Sequence, residues 1–242
     1  MTEQLHPERD PKMKPFEMYR ERFRAVYDAV ALRHRESSRA HRGHGLDHDV
    51  TVATHALLIA ANPRAAEKAF VASMLHSMDH LVGESIHQGG DHKKVGEAIR
   101  ECLSHLPANY FNPAEIEEIF DADMRHEELL PSGQSSETLE LLQDADRLTN
   151  LMPSWIIRAG QFQPHLPAIE FEHLDGTPNP QTTYSSPRSV LDDLRITLAS
   201  YRDKFHTERA KEIGRKYIEM VENYISSVER TYEELGLSNV RL

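Results

Sequence analysis

The chain is short of cysteine, of basic residues and of long apolar runs, and each shortage excludes something. Cys102 is the single cysteine in 242 residues. An intrachain disulfide and a cysteine-rich structural zinc site are therefore excluded, and a reducing compartment is expected. No stretch approaches the roughly 18 apolar residues of a membrane-spanning helix. The opening MTEQLHPERDPKMKPFEMYR holds no apolar signal core, so a cytoplasmic protein without a membrane partner is expected. Lys and Arg number 28 against 39 Asp and Glu, a formal net charge of −11. Binding to a nucleic-acid polymer needs clustered basic residues, and this balance argues against it. A mononucleotide is still admitted, because a bound metal supplies positive charge locally. The glycine-rich phosphate loop, the dinucleotide fingerprint and the serine nucleophile elbow are also missing.

What is present reads as helix almost throughout. Residues 15–36 place Phe16, Tyr19, Phe23, Val26, Tyr27 and Val30 at three- and four-residue spacings, one apolar stripe. Residues 47–61 repeat the pattern through Val52, Ala56 and Ile59, and Pro63 opens a helix over about 64–80. Further helices are expected over 91–105, capped by Asp91, from Asn112-Pro113, and from Ser135 or Ser136 to about Leu151, where Pro153 interrupts. Residues 161–187 hold five prolines and Gly176 and read as a long irregular loop. Such loops serve as lids or contact surfaces, and assembly into a homo-oligomer stays open. Helices over 188–204 and 207–236 close the chain. No strand-like alternation, repeat or low-complexity tract is found. With 39% hydrophobic residues, one all-α domain is expected.

Fifteen histidines are the chemical signal. His41, His44 and His48 fall together, His76 and His80 flank Asp79, and His126 stands alone. Residues three or four apart share a helix face, so His44, Asp47 and His48 form one candidate set and His76, Asp79 and His80 another. For His6, His34, His55, His165, His173 and His206 a surface or capping place is expected. His76 differs, because it lies among Phe70, Val71, Met74, Leu75 and Met78, where an unpartnered imidazole is costly. Metal ligation is the favoured reading there. Asp144 and Asp146 sit among leucines in LLQDADRLTNL, where a carboxylate needs a cation or donors. A salt bridge to Arg147 or another arginine competes evenly with a metal.

The ordered set of H48-x3-V52-x3-A56, A72-x2-L75-H76, R125-H126 and Q143-D144-A145-D146-R147-L148 resembles the HD superfamily of metal-dependent phosphohydrolases, specifically its small stand-alone bacterial members. The likeness is strong over about 40–160 and weaker over 200–236. It implies an HD-like helical core with additional C-terminal helices. It also implies a divalent cation (Mn, Fe, Co, Ni, Zn or Mg) on His48, His76 and Asp146, which would activate water against a small phosphorylated molecule such as a nucleotide. By the same likeness Arg147, with Lys93, Lys94 and Arg125, is a candidate to neutralise phosphate. His92 and His126 are candidates for a second ion or the substrate, and Glu84 for general base, with a surface carboxylate as its plain alternative. The likeness fails at one place. Ser77 stands where the family carries the aspartate of its His-Asp pair. Either Asp79 or His80 takes over, or water fills the shell, or the domain binds a ligand without turnover.

Overall fold

The computed structural model describes residues 14–37, 44–83, 91–128, 134–174 and 186–238. It is all-α among them, as the periodicity predicts. Helices α1 (Pro15–Arg22), α2 (Arg24–Glu36), α3 (Leu46–Ile59), α4 (Pro63–Leu75) and α5 (Met78–Val82) are followed by α6 (His92–Leu103) and α7 (Pro113–Met124). Then come α8 (Glu137–Thr149), α9 (Trp155–Phe162), α10 (Val190–Tyr201) and α11 (Glu208–Glu234).

The starts of these helices are written in side chains. Asn62, Asp91, Asn112, Ser136, Ser189 and Thr207 each accept a hydrogen bond from a backbone N–H of the first turn, which satisfies a donor with no partner inside the helix. At α7 the cap is reciprocal, with Glu115 returning to the Asn112 backbone. Of the two serines that precede α8, Ser136 is the cap.

Helices α3, α4 and α8 pack on one another at the centre, α7 covers α4 and α8, and α10 and α11 close against α8 and α9. The buried side chains form one contiguous core. In α8 burial runs nearly all round, from Leu139, Leu141, Leu142 and Leu148 to Thr138, Gln143, Asp144 and Arg147. A helix enclosed on all faces must find a partner for every polar side chain it carries. That requirement shapes the site.

Three expectations are corrected. The stripe over 15–36 is two helices, because the backbone leaves helical geometry at Phe23 (φ −109°, ψ 32°), where the ring is buried against Phe70, Tyr110 and Phe111. The helix expected over 64–80 ends at Leu75, and Ser77 (φ −86°, ψ 10°) carries a turn before α5. That short helix stops at Gly83, whose φ of +76° suits a residue without Cβ. The Pro-rich segment begins later than expected, since α9 occupies 155–162. Residues 163–174 are irregular apart from a 3-10 turn at Phe171–His173, and 175–185 lie outside the described residues.

Candidate metal centre

The turn at His76–Ser77 determines which side chains meet. On an unbroken helix His76, Asp79 and His80 would share a face. With the break, His76 turns toward α8 and Ser77 toward α3. His48 Nε2 lies 3.4 Å and His76 Nε2 3.8 Å from Asp146 Oδ1, and one ligand atom from each of the three lies within 4.8 Å of the others. Among the described residues no further His, Cys, Asp or Glu joins this trio.

The donor set has the electrostatics of a cation site. Both ring nitrogens of His48 and Nε2 of His76 are buried with no hydrogen-bond partner. An unsatisfied buried polar atom costs roughly 1–3 kcal/mol, and a Lewis acid would relieve two of these three, one nitrogen from each ring. Burial pushes the His48 imidazole down to about 4, with His76 and Arg158 adding to the effect against the pull of Asp146. It is thus neutral, the form that ligates. Burial opposes ionisation of Asp146, yet His48, His76 and His126 hold its carboxyl well below the usual carboxylate range. The trio brings a neutral His48 imidazole and the ring of His76 onto one anion, a donor set that fits a divalent cation.

The QDADRL segment positions all of this, each polar residue differently. Gln143 Nε2 donates to the carbonyls of His126 and Glu128 at 2.8 Å each. Asp144 is fully buried and accepts from His206 N, Thr207 N and Thr207 Oγ1 at 2.8, 2.8 and 2.9 Å, fastening the turn into α11. Arg147 Nη1 donates to Lys204 O at 2.5 Å and lies 3.8 Å from Asp144. The two acids of the DAD string thus differ: Asp144 has donors and an arginine, while Asp146 faces the imidazoles. One helical turn on, Asn150 Nδ2 donates to both oxygens of Asp146 at 3.1 Å, and Arg158 Nη2 donates to Asn150 Oδ1 at 3.2 Å.

The centre opens into a cavity of about 380 Å³, lined by His44, His80, His126, Arg147, Ser200, Tyr201 and Lys204 together with His76, Asp146 and Asn150. His126 donates through Nδ1 to Asp123 O at 2.6 Å, and its ring centre lies 5.9 Å from that of His76. It borders the cavity but stands outside the trio. His80 packs on His44 with ring centres 4.2 Å apart. Asp79 is buried with Oδ2 unpartnered, yet it neither joins the trio nor lines the cavity. Exposed His92 opens α6 and does not line the cavity either. Lys93 and Lys94 are exposed beside it, and Arg125 is held by Asp121 and Glu128. Of the four expected phosphate-facing cations only Arg147 borders the cavity. Glu84 lies outside the described residues, as does His41.

Sequence reasoning missed several participants. His34 and His55 are buried, where surface or capping places were expected. His34 meets Asp49 at 2.6 Å, and His55 sits between Thr149 and Tyr217. Arg158 and Lys204 were also missed. Arg158 lies on the unexpected α9, and Lys204 comes from a turn whose reach to the cavity depends on how α10 and α11 pack.

No family model and no curated protein matches the chain. A crystal structure of a Lactobacillus plantarum protein, solved as a structural-genomics target, aligns with a TM-score of 0.64 at 17% identity, covering 88% of this chain and 98% of that one. At that identity the likeness shows a shared fold alone.

Proposed function

We propose that the chain is a metal-dependent phosphohydrolase of the HD type, acting on a small phosphorylated molecule such as a nucleotide. The observation that carries this reading is the convergence of unpartnered His48 and His76 nitrogens on anionic Asp146, with His76 and Asp146 lining a cavity. A divalent cation held by these three would supply a Lewis acid for a phosphate oxygen and an acidified water. The imidazole donors favour Mn, Fe, Co, Ni or Zn over Mg.

The chain's own residues then have separable tasks. Asn150 fixes the orientation of Asp146, and Arg158 fixes Asn150. Arg147, with one nitrogen already committed to Lys204 O, offers a guanidinium of set orientation at the cavity wall, and such a group suits phosphate oxygens. Exposed Lys204 adds a second positive charge there. A cavity of about 380 Å³ lies at the small end of ligand sites, which matches a monophosphate better than a polymer.

Ser77 favours a second reading, a domain that binds a phosphorylated ligand without turnover. Its hydroxyl is committed to Asp49 at 2.6 Å, so it is not offered to the cavity. The two readings separate in one experiment. Protein purified without chelator or affinity histidines is analysed for metal, then assayed on phosphate esters with added Mn. Metal lost in His76→Ala together with ester hydrolysis supports the enzyme. Metal and phosphate binding without hydrolysis supports the binding domain, and no metal under any loading sinks both.

A further inference from the structure

Behind His76 stands a carboxylate that no sequence pattern marks. Asp49 is fully buried, one residue after His48 in the first turns of α3. Ser77 Oγ donates to its Oδ1 at 2.6 Å, and His34 Nε2 meets its Oδ2 at 2.6 Å. His76 Nδ1 lies 3.4 Å from Oδ1 while donating to Ser73 O at 2.9 Å. This side of the ring is therefore its N–H side, and the unpartnered Nε2 turns to Asp146. Ser73 O fixes the tautomer, and a carboxylate 3.4 Å behind a ligating imidazole adds the negative charge that raises its basicity. The position also explains the serine. An acid at 77 would set a second carboxylate at hydrogen-bond range of Asp49 in place of the hydroxyl donor that Asp49 now has, and two like charges there repel.

We infer that Asp49 is a positioning residue of the His48–His76–Asp146 centre, orienting and polarising His76 from α3, and that the site takes a carboxylate at 49 or at 77 but not at both. The inference rests on the metal-centre reading proposed above. The competing role for Asp49 is purely structural, a buried tie between α2 through His34 and the α4–α5 turn through Ser77. A structural tie affects folding, whereas a positioning residue also affects metal affinity in protein that is folded.

The test is calorimetric titration of the full chain with Mn²⁺ alone, on protein whose fold is checked by circular dichroism. Asp49→Asn keeps the volume and one acceptor but removes the charge. It is expected to weaken Mn²⁺ binding about 10–100-fold, the usual loss for a partner behind a ligand. Ser77→Asp alone is expected to melt at lower temperature than wild type. The exchange Asp49→Asn with Ser77→Asp restores one carboxylate and is expected to return affinity to within a few-fold of wild type. Should Asp49→Asn not fold, the exchange variant decides: recovery supports the inference, and a folded but weak-binding exchange variant overturns it. Wild-type affinity in folded Asp49→Asn, with affinity lost in His76→Ala, overturns the role of Asp49 and leaves the metal centre standing. Wild-type stability and tighter binding in Ser77→Asp overturns the one-carboxylate rule. Unchanged affinity in both His76→Ala and Asp146→Ala overturns the metal centre and this inference with it.

Discussion

Asp144 and Asp146 are two residues apart on one helix, and the structure gives them opposite jobs, so their variants should fail in opposite ways. Asp144 accepts two backbone N–H groups and one hydroxyl, all within 2.9 Å, at the start of α11. Asp144→Ala takes that partner from the His206 and Thr207 N–H groups, at roughly 1.5–3 kcal/mol for a hydrogen bond to a charged group. It also takes the nearby anion from Arg147. A loss of about 3–5 kcal/mol is expected, in line with breaking a buried charged network and large beside the roughly 5–15 kcal/mol total stability of a domain. Asp146→Asn removes a charge from between imidazoles but keeps an acceptor for Asn150. Its metal-free form should lose less stability than Asp144→Ala, because an acceptor for Asn150 remains and no backbone N–H loses its partner. Its Mn²⁺ affinity should fall by more than the about 10–100-fold that loss of an outer partner costs. Urea unfolding of metal-free protein gives the stabilities, and Mn²⁺ titration of the folded variants gives the affinities. Equal destabilisation in the two variants, or equal loss of metal, would refute the assignment of separate roles.

Three further outcomes follow from other parts of the fold. Burial pushes the His55 imidazole down to about 4, while its ring nitrogens meet Thr149 at 2.8 Å and Tyr217 at 3.2 Å. A lowered folded value means that the unfolded chain binds the extra proton, so this contribution is whole above about pH 6.5 and is lost as pH falls toward 4. At most about 3 kcal/mol is involved, and pH-dependent unfolding of His55→Gln should show a flatter acid limb than wild type. Two helical glycines should respond oppositely to alanine. A Cβ on Gly214 would press into the Phe205 ring, 2.6 Å from Cζ, whereas one on Gly160 meets nothing within 4 Å. Gly160→Ala should stabilise by up to about 1 kcal/mol from helix propensity, and Gly214→Ala should destabilise by about 1–3 kcal/mol from overpacking, both read by thermal melting. If the cavity takes phosphate esters, Lys204→Ala should raise KM several-fold with kcat nearly unchanged, the mark of lost uniform binding. A fall in kcat alone would place Lys204 in the chemistry instead.

The sequence made the helices legible because caps and apolar spacing are local; burial cost marked His76 and left Asp146 even between a salt bridge and a metal, and the trio as a set came from the resemblance of the ordered motifs. It hid whatever depended on a break or on packing between distant elements. Periodicity ran unbroken from 64 to 80, so His76, Asp79 and His80 read as one face, yet two backbone angles at Ser77 send His76 to α8 and leave Asp79 outside the cavity. His34 looked like a surface residue because its partner, Asp49, lies on the next helix. Asp49 stands in the first turn of α3, where acids commonly favour a helix N-terminus, and nothing in the sequence sets it apart from them. Only the fold shows that it is buried, that His34 and Ser77 both reach it, and that the ring of His76 stands against it. On the inference drawn above, the serine at 77 and the acid at 49 belong together: Ser77 Oγ donates to Asp49 Oδ1 at 2.6 Å, and the one carboxylate of this pair lies on α3.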